Sequence, residues 1–87
     1  MATNSETMKF ANKFNKIRQG KHRNHTIDKM GPSTAYVVIH TIDTDKVLTP
    51  EEKVELIIAF CQTEITVDQI AEKMNVAYSR SVNQFWN

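Results

Sequence analysis

Residues 71–87, "AEKMNVAYSRSVNQFWN", decide how this chain folds, because its only tryptophan, Trp86, is the penultimate residue. Chain ends usually fray and tolerate change. A large aromatic there is an accident, a docking handle, or the last core residue of a domain that closes at the terminus. The residues before it favour the third reading. Val82 and Trp86 stand at i and i+4, so a helix places them on one face, against Ala71 and Met74 of a preceding helix. Ala71 is small and lets two helices approach closely. Trp86 would bury about 150–250 Å² and anchor the core.

Outward from this stretch, two capping boxes mark helix starts. Thr66 and Gln69 form one, with Ile65 before and Ile70 after it in a hydrophobic staple, and a short helix is expected over about 67–74. Thr49 and Glu52 form the other, with Pro50 at the first helical position. Val54, Ile57, Ile58 and Cys61 are expected to be the buried face of that helix. "NVAYS" (75–79) reads as a break, followed by a third helix carrying Val82, Phe85 and Trp86. Three helices over 48–87, with a tight turn between the last two, follow the plan of a helix-turn-helix.

These spacings resemble the Myb/SANT three-helix repeat. Ile70-Ala71 is followed by Met74 three positions after the alanine, Val82 at eleven and Trp86 at fifteen, with Asn87 beside it. "LTPEE" (48–52) is similar to the family's opening, with Leu48 in place of its first tryptophan and Val67 where the second would fall. The simpler prokaryotic helix-turn-helix register fits less well, since its last apolar position falls on Ser81 rather than Val82. The resemblance covers about 40 of the 87 residues, and two of the three signature tryptophans are absent. It implies a third helix that enters the DNA major groove, with base contacts from Arg80, Asn83 and Gln84. Those types suit the chemistry, since Arg bonds guanine bidentately and Asn or Gln does so with adenine. Tyr78, Ser79 and Ser81 would add phosphate hydrogen bonds.

The N-terminal part has a different character. Phe10, Phe14 and Ile17 recur at helical spacing with lysines between them, Ser5 is a candidate cap and Gly20 a stop. Residues 1–30 hold seven Lys/Arg against Glu6 and Asp28, whereas 48–87 hold Lys53, Lys73 and Arg80 against six carboxylates. The sequence thus divides into a basic arm (1–30), a connecting segment (31–47) and the helical domain (48–87). Lys13, Lys16, Arg18, Lys21 and Arg23 of the arm would supply the phosphate contacts that the acidic domain lacks. Within the connector, residues 33–42 are ambiguous. Their β-branched richness suits a strand, but Ala35, Val38, Ile39 and Ile42 complete a helical face after a Ser33 cap. The expectation is helix, with a strand paired across a dimer as the alternative. The fold class is mainly α.

Several functions find no residues to carry them. One cysteine, Cys61, allows no intrachain disulfide, and its place on an apolar face suggests a buried thiol. His22, His25 and His40 lack a ligand cluster, and Asp43 and Asp45 begin something like a calcium loop without completing it. No metal, cofactor or enzyme motif is implied. No apolar run is long enough to span a membrane and no signal peptide opens the chain, so a soluble intracellular protein is expected. The leading expectation is a small DNA-binding regulator, and the alternative is a protein-interaction module, an adaptor or inhibitor. A homodimer would help to bury Tyr36 and Val37 on either view.

Overall fold

The structure, a computed structural model, describes residues 12–86, with side chains described as far as Arg80. Four helices account for the regular structure of these residues: α1 (12–19), α2 (Pro32–Asp43), α3 (Pro50–Cys61) and α4 (Val67–Trp86). A single 3-10 turn, Ile27–Lys29, interrupts the connection between α1 and α2. The fold class is therefore mainly α, and no strand occurs among the described residues.

Each boundary has a local cause. Helix α1 gives way to a turn at Gly20, whose N–H reaches the carbonyls of Lys16 and Ile17. Residues 33–42, ambiguous by composition, are helical. The cap of α2 is Gly31 rather than Ser33, with Pro32 in the first turn, where its missing N–H costs nothing. Both capping boxes form. Thr49 accepts from the Glu52 N–H while the Glu52 carboxylate accepts from the Thr49 N–H, and Thr66 and Gln69 repeat the exchange. Helix α3 ends in a Schellman motif, in which the Glu64 N–H bonds the Ala59 carbonyl and the Thr63 N–H bonds that of Phe60. Thr63 takes the left-handed conformation this requires, with φ of 64°.

The largest departure from expectation is in the stretch that opened the reading. Residues 75–79 do not break. Helix α4 runs unbroken for 20 residues, so the turn of a helix-turn-helix is absent and the second and third helices are one. The reason is legible afterwards: "NVAYS" contains neither Gly nor Pro, and Val67, Ile70, Ala71, Met74 and Ala77 form one continuous buried stripe. Tyr78 extends that stripe as a half-buried residue. Val76, within the same stretch, is 66% exposed.

One cluster gathers residues from all four helices: Phe14 of α1, Val38 and Ile42 of α2, Leu56 and Phe60 of α3, and the stripe of α4, with Leu48 from the connection. Leu48 and Val67 are both buried. The inward face of α3 is not the expected one. Leu56 and Phe60 are buried and Ile57 packs beside them, whereas Val54, Ile58 and Cys61 are exposed. Seven of the twelve residues of α3 are apolar, more than one inward stripe can use, and Leu56 and Phe60 took the core. Ser5 and Phe10, and the side chains of Val82, Phe85 and Trp86, lie outside what the structure describes.

Candidate functional site

The residues singled out for DNA recognition separate into two groups, at opposite ends of α4. At its N-terminus the basic loop closes over the helix. The Val67 and Asp68 N–H groups donate to the carbonyls of His25 and Arg23, satisfying donors that a helix start leaves free. Arg18 approaches the same turn, its Nε 2.5 Å from the Asp68 carboxylate in an ion pair without hydrogen-bond alignment. Asp68 also suits the positive end of the helix dipole. Arg18 and Arg23 thus brace α4. Lys13, Lys16 and Lys21, and the side chain of Arg23, face solvent.

Toward the other end, twelve residues and about 18 Å along the axis, Arg80 and Tyr78 are both engaged within the chain. The Arg80 guanidinium donates to the Glu52 carboxylate at 2.7 Å. That bond, reinforced by the Thr49 N–H, holds the Glu52 carboxyl below the usual carboxylate range. The Tyr78 hydroxyl donates to Oδ2 of Asp45, which is fully buried. The other Asp45 oxygen accepts the N–H groups of Val47 and Leu48 at 2.8 and 2.9 Å. Asp45 therefore ties the α2–α3 connection to α4. Burial first, and then the bond to this carboxylate, push the Tyr78 phenol far above its ordinary pKa. Ser79 is exposed on α4, and the side chains of Ser81, Asn83 and Gln84 are outside the described set. Tyr78 is a structural hydrogen-bond donor here rather than a free phosphate contact.

His22 and His25 meet edge to face, with their Nδ1 atoms 3.4 Å apart. No group of three metal-ligating side chains occurs among the described residues.

A different surface emerges between α3 and α4. Leu48, Glu52, Glu55 and Leu56 on one side and Lys73 and Val76 on the other line an open groove of about 320 Å³. Its floor is apolar, since Leu48 and Leu56 are nearly buried. On its outward side, α3 presents Val54 and Ile58, 55% and 48% exposed, one helical turn apart, with Cys61 continuing the line. Tyr36 is also exposed, stacked on His40 along α2. Sequence reading placed Val54, Ile58 and Cys61 inside. The signal against this was the excess of apolar residues on α3, which forces some outward whichever face packs. No protein family, curated protein or solved structure matches this chain in comparison. No helix among the described residues is long and apolar enough to cross a membrane.

Proposed function

We propose that this chain is a protein-interaction module, acting by binding rather than catalysis, with its contact surface on α3 and the adjoining groove. The observation that carries this reading is the line of Val54, Ile58 and Cys61 standing in solvent along α3. Contiguous exposed apolar surface is costly unless a partner covers it. Photo-crosslinking tests the reading. A crosslinker at position 58 should give discrete protein adducts in a native extract, and one at Lys16 should not. Adducts from neither position, or equally from both, would overturn it.

A second reading, DNA binding, is favoured by one observation: Lys13, Lys16, Lys21 and Arg23 are exposed. The continuous α4 and the engagement of Arg80 and Tyr78 weigh against major-groove reading by the last helix. A duplex gel shift that weakens with added salt, and disappears with Arg80→Ala plus Asn83→Ala while folding persists, would establish it. No shift at low salt would leave the interaction module standing alone.

A further inference from the structure

We infer that the α3 surface takes an amphipathic helix of another protein, with apolar residues at i and i+4 and lysines or arginines flanking them. The inference rests on the interaction reading and adds the chemistry of the partner. Val54 and Ile58 form a ridge one turn apart on α3, with Cys61 one turn further on. That is the spacing an apolar helical stripe matches.

Charge selects among helices. Glu51 and Glu55 flank the ridge, Glu64 stands beyond its end, and all three are exposed. Among the described residues, Arg80 is paired with Glu52, and the Lys53 ammonium is tied to the Asp43 carbonyl at 2.9 Å while keeping its charge. Three exposed carboxylates against Lys53 leave the surface around the ridge acidic. A partner helix with basic flanks meets this pattern, and one with acidic flanks is repelled.

The same carboxylates disfavour a second copy. Pairing two α3 helices antiparallel about Ile58 would set Val54 against Cys61 and bring Glu51 of one copy towards Glu64 of the other. Like charges would then line both edges of an apolar contact.

The probe is a synthetic amphipathic peptide of about four helical turns, with leucines at i, i+3, i+4 and i+7 and lysines elsewhere. Its counterpart carries glutamates in place of the lysines. Binding to the full chain is followed by amide chemical shifts. The lysine peptide should bind about tenfold or more tightly than the glutamate peptide, weaken with salt, and shift residues 50–62 most. In the double variant Val54→Asp, Ile58→Asp the surface is more acidic but no longer apolar, so binding should fall about tenfold although simple charge attraction would rise. Both positions are exposed, and circular dichroism of the variant confirms its folding. Equal affinity for the two peptides, shifts centred elsewhere, or unchanged binding to the double variant would overturn the inference. So would a concentration-dependent doubling of the chain's own mass that the double variant abolishes, since that identifies a second copy as the occupant. Adducts at position 58 without peptide discrimination would leave the interaction reading in place and reject only the basic helix.

Discussion

Tyr78 and Asp45 show how far one buried carboxylate can organise a small domain. Asp45 is 1% exposed and satisfied by two backbone N–H groups and one phenol. Removing a partner leaves a buried acceptor unpaired, which costs about 1–3 kcal/mol. Tyr78→Phe should therefore lower the unfolding free energy by an amount in that range, read as a lower midpoint in urea denaturation. The phenol also sets a pH limit. Its pKa is raised in the folded state, so its contribution is whole below the unfolded value of about 10 and is lost as pH rises above it. In a Tyr36→Phe background, tyrosinate absorbance should appear only together with loss of helical circular dichroism. A reversible phenol titration near pH 10 with the helices intact would show that the Asp45 bond is not made. Thr63 works in the opposite direction. A β-branched residue in left-handed conformation carries about 1–2 kcal/mol of strain, part of which glycine would relieve. Thr63→Gly should stabilise the fold by about 0.5–1 kcal/mol after the entropy glycine loses, visible as a raised melting temperature. A lowered one would mean that the threonine side chain contributes more than its strain costs.

At the scale of elements, the two helix starts marked by capping boxes were legible, whereas the start of α2 and the interior of α4 were misread. The boxes at Thr49–Glu52 and Thr66–Gln69 are local chemistry, complete within four residues, and nothing distant competes with them. The break at 75–79 was inferred from a pattern spread over the whole C-terminal stretch. Such spacing cannot distinguish two short helices from one long one, because the same apolar residues serve either. The inward faces of α3 failed for a related reason. With apolar residues all round, the choice between Leu56–Phe60 and Val54–Ile58 depends on where α2 and α4 lie, which no local pattern states. The continuity of α4 has a direct test at Asn75, which is exposed and so free of packing effects. Proline in a helix interior removes a hydrogen bond and clashes with the preceding turn, at about 3 kcal/mol or more. Asn75→Pro should abolish cooperative folding or lower stability by that amount, whereas a loop at 75–79 would absorb it with little change in the denaturation midpoint.

For the molecule as a whole, the candidate DNA-contact residues were chosen by type and position along the chain, and that choice carried no information about what each would meet in space. Arg18 meets Asp68, Arg80 meets Glu52 and Tyr78 meets Asp45, pairings separated by 50, 28 and 33 residues in sequence. The charge asymmetry between the N- and C-terminal parts therefore serves folding as well as any external partner. The two parts touch at an ion pair, at two backbone bonds and in the core, where Phe14 is 2% exposed. Phe14 is the sharpest probe of this integration. If α1 is a component of the core, Phe14→Ala removes a buried ring and leaves a cavity in the shared cluster, costing about 3–5 kcal/mol. Lys16→Ala, on the exposed side of the same helix, should change stability by no more than about 0.5 kcal/mol. Urea unfolding followed by helical circular dichroism should then show one transition in both variants, shifted only for Phe14→Ala. An unshifted midpoint in Phe14→Ala, with a separate low-urea loss of a small part of the helical signal, would instead make α1 an arm that docks weakly on an independent three-helix core.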